Sequence, residues 1–368
     1  MKTKILGCCG RYIQGYGELE RLEKHIGWMG DRFLCVASRN RLRDLKEIIT
    51  TSMEGREVVF HQFDGECSFA AIAEVKDLVS ANKSQAIIGV GGGKVADTVK
   101  VVAHECGIPI AIVPTIAATD AYTSAASLIY RDDGTVEDVQ NFPHSPDVVL
   151  ADTKVLVKGP ARFFAAGMGD ALSTFVGGSV CVDNNYDNHF GGLGTVTGYH
   201  VAKLSYDLLF QYGRQAYLAA QNHVVTDAYN IITEVNILMS GMGFENTGSS
   251  LDHLFYFGTL GLPGREEKVV HGEGVAFSVC CMLVMQGASN EQLDAVYRFN
   301  RDVGLPITFE DMGLSGLTDE ELDLMSNNVL KEVFVAHHPY DVTFEMIRSA
   351  YIAADKIGRL YHDGGSIL

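Results

Sequence analysis

The stretch Ala86-Ile87-Ile88-Gly89-Val90-Gly91-Gly92-Gly93-Lys94 runs on into Val95-Ala96-Asp97-Thr98-Val99-Lys100 and joins an apolar, strand-like run to a helix-like segment through three consecutive glycines. Without Cβ atoms the glycines let backbone approach an anion closely. The following helix offers unpaired N–H groups and the positive end of its dipole. This is the construction of a phosphate cradle. A P-loop would need Gly where Ile88 stands and Ser or Thr where Val95 stands, and a Rossmann fingerprint would need Gly or Ala at Lys94. The segment therefore reads as a variant dinucleotide loop. A plain strand-to-helix turn would explain one or two glycines, but not three followed by Lys.

The same alternation extends through the first part of the chain. Apolar runs at 33–37, 58–62, 86–90, 110–114 and 148–151 alternate with helical patterns near 40–53, 68–82 and 94–106, the pattern of a parallel sheet covered on both faces. Ser68 is placed to cap the second of these helices. After about residue 160 strand signals nearly vanish, and segments such as 161–182, 198–212, 214–241, 247–262, 270–287, 290–303 and 318–331 show helical spacing. The expected organisation is an α/β nucleotide-binding domain over 1–158 and an all-α domain over 159–368, with the boundary at Lys158-Gly159-Pro160. In doubly wound sheets ligands lie beyond the C-terminal strand ends. The hydroxyl-rich loop Pro114-Thr115-Ile116-Ala117-Ala118-Thr119-Asp120-Ala121 falls there too; by itself it is equally a capped turn.

Composition narrows the function classes. At 368 residues, 47% hydrophobic and 20% charged, the chain can bury a large core. A net charge of -17 argues against a general nucleic-acid surface, which needs clustered Lys and Arg. No run reaches the roughly 18 apolar residues of a membrane span, and no signal-length apolar segment begins the chain. Eight cysteines without a CxxC pair suit a reducing cytoplasm.

The helical half holds groups able to bind a metal. Asp170 follows Gly167-Met168-Gly169, His253 lies in Leu251-Asp252-His253-Leu254-Phe255-Tyr256, and His271 precedes Gly272-Glu273-Gly274. One carboxylate and two imidazoles on separate helices would make a three-ligand site with an open position, as a catalytic zinc requires. The spacing by itself does not demand this, because a buried His is also satisfied by a backbone carbonyl.

Taken together, the glycine loop, Val113-Pro114-Thr115 through Ala125, Gly167-Met168-Gly169-Asp170-Ala171-Leu172-Ser173-Thr174, Ser240-Gly241-Met242-Gly243-Phe244-Glu245 and His271-Gly272-Glu273-Gly274-Val275-Ala276-Phe277 resemble the glycerol dehydrogenase family. That family belongs to the metal-dependent alcohol dehydrogenases, which include the iron-containing ones and, more distantly, dehydroquinate synthase. The resemblance covers nearly the whole chain in order. It implies that Asp170, His253 and His271 hold a zinc ion, with Fe2+ the lesser alternative because Thr174 stands where iron-dependent relatives carry a further His. It implies a nicotinamide cofactor site lined by Gly91, Gly92, Gly93, Lys94, Asp97, Thr115, Ser124, Leu128 and Tyr130. Asp120 would bind a second substrate hydroxyl, and Phe244 would form an apolar wall. The implied reaction is reversible hydride transfer between a small polyol and the nicotinamide, in the cleft between the domains, with the reacting hydroxyl bound to the metal as an alkoxide. A homo-oligomer is also implied, and neither a nucleic-acid nor a membrane partner is expected. A dehydroquinate synthase-like lyase and a hydroxy-acid or hydroxyketone dehydrogenase are the alternatives.

Some positions depart from the family pattern. Val36-Ala37-Ser38-Arg39 lacks the acidic residue that receives the adenosine ribose, so Ser38 with Arg39 and Arg41 opens the site to NADP as well as NAD. Tyr122 replaces Pro beside Asp120, Tyr256 replaces a second His after His253, and Gly274 replaces Lys.

Overall fold

The apolar runs at 33–37, 58–62 and 86–90 are each followed by a helix that returns the chain to the same end of the sheet, so these strands and the one after them run in parallel. The computed structural model describes residues 2–131, 136–265 and 269–368. Its sheet contains β1 (Arg11–Gly15), β2 (Arg32–Ser38), β3 (Glu57–Phe63), β4 (Ala86–Gly91), β5 (Ile110–Pro114) and β8 (Val148–Asp152), while β6 (Ala126–Tyr130) and β7 (Val136–Asn141) form a separate antiparallel hairpin. Strand order is β1-β8-β5-β4-β2-β3, with every pair parallel. β4 and β5 are buried throughout, as expected of strands covered on both faces. β1 and the hairpin were not among the expected strands. β1 is a short edge strand, and the outer strand of the hairpin, Val136-Glu137-Asp138-Val139-Gln140-Asn141, is mostly exposed and polar, so neither presents an apolar run.

The sheet is flanked by α1 (Leu22–Ile26), α2 (Arg39–Ser52), α3 (Phe69–Asn82), α4 (Gly93–Cys106) and α5 (Thr153–Leu156). Leu22, Ile26, Leu45 and Ile49 cover one face, packing on Phe33, Cys35, Ile88, Val113 and Leu150. The Ser68 hydroxyl accepts the Ala71 N–H at 3.3 Å and caps α3. On α4, Val99 lies so close to the sheet that a Cβ on Gly89 would come within 2.6 Å of it.

The remaining helices are α6 (Ala161–Asp183), α7 (Val196–Gln221), α8 (Asp227–Glu234), α9 (Ser240–Thr247), α10 (Leu254–Thr259), α11 (His271–Met285), α12 (Asn290–Asp302), α13 (Asp319–Lys331) and α14 (Phe344–His362). A π-helical turn at Val235–Met239 carries α8 into α9. The chain divides into two compact units. One comprises Gly7–Pro160 with Asn222–Val225; the other comprises the N-terminal residues through Leu6, Ala161–Gln221 and Thr226–Leu368. Leu193 holds the N-terminal residues in the second unit, donating to the Thr3 carbonyl at 2.8 Å and accepting from Ile5 N–H at 3.3 Å.

Two helix boundaries differ from those expected. The separate segments 198–212 and 214–241 become one helix through Gly213, because Gly213 is a packing position against the Phe299 ring and not a stop. The break falls instead at Asn222–Val225, where His223 has φ 53°. Over 247–262 only Thr247, the end of α9, and 254–259 are helical, since Gly248 ends α9 at φ 98° and the next residues form a loop.

Helix α6 is the axis of the helical unit, and fifteen of its residues, Phe164 to Cys181, are buried. It is long and apolar enough to cross a membrane, yet 78% of its most apolar window is buried inside the protein, as befits a core helix. Its closest crossing is with α11. A Cβ on Gly169 would lie 2.2 Å from the Gly272 carbonyl oxygen, and one on Gly272 would lie 1.9 Å from that of Ala166. Backbone meets backbone there, so nothing can rotate aside. Gly272→Ala should lower stability by about 1–2 kcal/mol in denaturant unfolding, because overpacking against backbone outweighs the roughly 1 kcal/mol gain in helix propensity.

Candidate metal centre and nucleotide loop

Asp170 and His271 each flank one glycine of the α6–α11 crossing, so the same close approach that packs the helices brings their side chains together. His271 Nε2 lies 3.4 Å and His253 Nε2 3.7 Å from Asp170 Oδ1. One ligand atom from each of the three side chains falls within 4.8 Å of the others. Ligands about 2.1 Å from a tetrahedral ion stand about 3.4 Å apart, so this donor set has the spacing that zinc takes. Asp170 is buried, whereas His271 keeps 38% of its side chain exposed, which leaves the cluster open on one side.

The loop before α10 sets His253. Asp252 Oδ2 lies 2.6 Å from His253 Nδ1; an ionised carboxylate can only accept, so Nδ1 carries a proton and the ring is held with Nε2 facing Asp170. Ser250 N–H donates to the other Asp252 oxygen at 2.7 Å. Asp252 fits only because α6 has a glycine opposite it: a Cβ on Gly177 would come within 1.9 Å of Asp252 Oδ1. Burial disfavours the His253 imidazolium, but the carboxylates of Asp170 and Asp252 more than offset this and push its pKa up to about 10. Burial would likewise raise the Asp170 carboxyl, yet His271 and His253 hold it well below the usual range. A cation held by these three side chains would compete with that proton for His253.

His271 begins α11. Glu273, two residues on, accepts from Val270 N–H at 2.9 Å and forms a two-point pair with Arg162 at 2.5 and 2.6 Å, tying the first turn of α11 to that of α6. Asp252 and Glu273 were not among the expected site residues, although each left a signal. Asp252 directly precedes a ligand histidine, and Glu273 stands at the third helical position, where a carboxylate can reach back to the helix start. Phe244 on α9 lies 6.1 Å, ring to ring, from His253. The departures at Tyr256 and Gly274 prove to be two sides of one contact, since a Cβ at 274 would lie 2.1 Å from the Tyr256 ring, which also packs edge-on to His271 at 5.8 Å.

The nucleotide loop belongs to the other unit. Gly92 is the N-cap of α4, and no side chain among the described residues caps it. Gly91 is required by packing, because a Cβ there would meet Val95 at 2.6 Å, but Cβ atoms at Gly92 and Gly93 would meet only Ile116 at 3.5 Å and Thr119 at 3.6 Å. Protein packing does not explain those two glycines; backbone without Cβ atoms at a helix N-terminus leaves room for an anion. Thr115 N–H donates to the Gly91 carbonyl at 3.0 Å. Leu128 and Tyr130 share the partly exposed face of β6. Lys94 is paired with Glu66.

Asp97 turns inward. Burial pushes its carboxyl up despite Lys100 at 3.0 Å. The buried Lys100 also donates to the Ala121 carbonyl at 2.7 Å and to Ser124 Oγ at 3.1 Å, so this pair shapes the loop that carries Asp120. Tyr122 is wholly buried beneath that loop. Ser38 ends β2 at the N-cap position of α2, and Arg39 after it is held by Asp64 at 2.9 Å.

A glycine-cradled nucleotide loop beyond a parallel sheet and an open Asp/His/His cluster in a helical unit define a class: nucleotide-linked enzymes that use a metal. Comparison with known proteins makes this specific. The model of the iron-containing alcohol dehydrogenases matches residues 9–153. Glycerol dehydrogenase of Thermotoga maritima is 37% identical over 353 residues, covering 95% of this chain and 96% of that one. Glycolaldehyde reductase of Halobacterium salinarum is 32% identical over 367 residues, 98% of this chain and 100% of its own. The crystal structure of glycerol dehydrogenase from Schizosaccharomyces pombe superposes with a TM-score of 0.94 at 30% identity, covering 99% of this chain and 93% of that one. The chain belongs to the iron-containing alcohol dehydrogenase family.

Asp252→Asn should weaken metal binding by about 10- to 100-fold in a chelator-competition titration, with the fold retained, because the amide no longer orients His253 as a carboxylate does. Gly177→Ala should reproduce the loss by displacing Asp252. Unchanged affinity in both would mean that Asp252 is not coupled to the cluster.

Proposed function

We propose that this chain catalyses the reversible oxidation of a small vicinal diol, or a closely related secondary alcohol, with NAD or NADP as hydride acceptor. The observation that carries this is the convergence of Asp170, His253 and His271, in a chain 37% identical to a glycerol dehydrogenase over nearly its full length. In the forward direction the carbinol C–H bond breaks, its hydride passes to the nicotinamide ring, the hydroxyl proton goes to water, and a carbonyl compound and NAD(P)H are formed.

Asp170, His253 and His271 would hold the ion. Its chemistry is that of a Lewis acid, which lowers the pKa of a hydroxyl brought to it and orients that hydroxyl. Gly92, Gly93 and the α4 N-terminus would cradle the pyrophosphate, with Thr115, Ser124, Leu128 and Tyr130 beside the rest of the cofactor. Lys94 would serve the phosphates from its pair with Glu66, and Asp97 would act through the loop that Lys100 holds. Asp120 would accept a hydrogen bond from the second substrate hydroxyl, and Phe244 would wall the pocket.

Zinc is the proposed metal. One carboxylate and two imidazoles with an open position form a donor set of catalytic zinc, and Thr174, one turn beyond Asp170, supplies no further imidazole; its hydroxyl is bonded to Ser240 at 3.1 Å. The eight free cysteines accord with a reducing cytoplasm.

Metal analysis of protein loaded separately with Zn2+ and Fe2+, followed by turnover of small diols with each cofactor, tests the assignment. His271→Ala should lose the bound metal and the turnover together; unchanged metal content would overturn it. For the cofactor, both choices are proposed to be usable, because Arg39 is free to exchange Asp64 for a 2′-phosphate. Asp64→Asn should raise the NADP-to-NAD ratio of kcat/KM by about tenfold and Arg39→Ala should lower it, the size expected of one charge-assisted hydrogen bond. A wild-type preference for NAD above about a hundredfold would exceed what that exchange can offset.

A further inference from the structure

Phe257 is the apolar residue of α10 that does not go into the core. Leu254, Phe255, Tyr256, Gly258 and Thr259 around it are buried, whereas Phe257 remains partly exposed. It stands four residues after His253, and its N–H donates to the His253 carbonyl at 3.1 Å, so the two share one helix face. Its ring lies 6.0 Å from that of His253 and 6.2 Å from that of His271. Phe244, also partly exposed, flanks His253 at 6.1 Å. Two phenyl rings therefore border the cluster, and Phe257 borders both imidazoles.

Three buried hydroxyls of the surrounding helices are bonded within the protein. Thr174 is bonded to Ser240, Thr259 donates to the Tyr256 carbonyl at 2.7 Å, and Thr247 donates to the Gly243 carbonyl at 2.8 Å. A substrate hydroxyl placed against the two phenyl rings would lose its water and gain no hydrogen-bond partner from them, whereas an alkyl group would lose nothing. Resting on the activity proposed above, we infer that Phe257 is a specificity-determining residue, selecting vicinal diols, and the corresponding hydroxyketones, whose carbon beyond the diol is apolar. One oxygen is then recognised at the ion, and the carbon beyond the diol meets the phenyl rings that border it. Glycerol, with a third hydroxyl, is the poorer substrate.

The test uses zinc-loaded full-length enzyme and compares kcat/KM for butane-1,2-diol and glycerol, which share the diol and differ in the group beyond it. The expected ratio favours butane-1,2-diol by at least about tenfold, within the range that one pocket contact supplies. Phe257→Asn, at unchanged zinc content, should shift the ratio toward glycerol by about fivefold or more, while Phe257→Leu should preserve it. Equal or better turnover of glycerol by the wild type would overturn the inference and leave the diol dehydrogenase activity standing. An unmoved ratio in a zinc-retaining Phe257→Asn would also overturn it. If no diol were oxidised with either cofactor, the proposed activity itself would fall and this inference with it.

Discussion

Backbone contact between α6 and α11 is the constraint from which the helical unit's chemistry follows. Gly169 faces the Gly272 carbonyl and Gly272 faces that of Ala166, at separations that leave no room for a side chain. Helices that normally pack 8–10 Å apart come closer only where both surfaces lack Cβ atoms. Because Asp170 and His271 sit next to those glycines, the distance between a carboxylate and an imidazole is set by helix packing and not by loop conformation. A site mounted in this way is preorganised, since moving either ligand means separating two helices.

The third ligand is placed by different means. His253 begins a short helix after an irregular loop, so its orientation depends on hydrogen bonds: Ser250 N–H holds Asp252, and Asp252 holds the imidazole. Here too α6 supplies the space, because Gly177 leaves a hollow that the Asp252 carboxylate fills. One apolar helix thus serves the cluster twice, once by approaching α11 and once by making room for a buried carboxylate. Arg162 and Glu273 add a charged tie between the first turns of the same two helices.

Much of the sheet was legible because strands buried on both faces must be apolar throughout, and Ala86–Gly91 and Ile110–Pro114 are. The edge strand Arg11–Gly15 and the hairpin of Ala126–Asn141 escaped notice for the converse reason, since partly exposed strands need no apolar run. In the site, Asp170, His253 and His271 were visible as types able to bind a metal, but their convergence was not, because no local spacing joins residues on two helices and the loop before a third. The glycine loop was visible as an anion cradle. That Arg39 is engaged by Asp64 depended on a neighbour far away in sequence, and that Asp97 and Lys100, one helical turn apart, are both buried depended on what packs over them.

By itself the sequence determined the alternation of strand and helix, the variant glycine loop, the change to an all-helical pattern after residue 160 and a family resemblance carried by ordered motifs. These are local properties, written in periodicity and in residues with special backbone or chemical behaviour. Tertiary structure alone decided which glycines serve packing and which leave a cradle, that Tyr256 and Gly274 are one contact, and which carboxylate orients His253. Those outcomes depend on how closely separate helices approach, a balance of side-chain volumes across the core that no single segment contains.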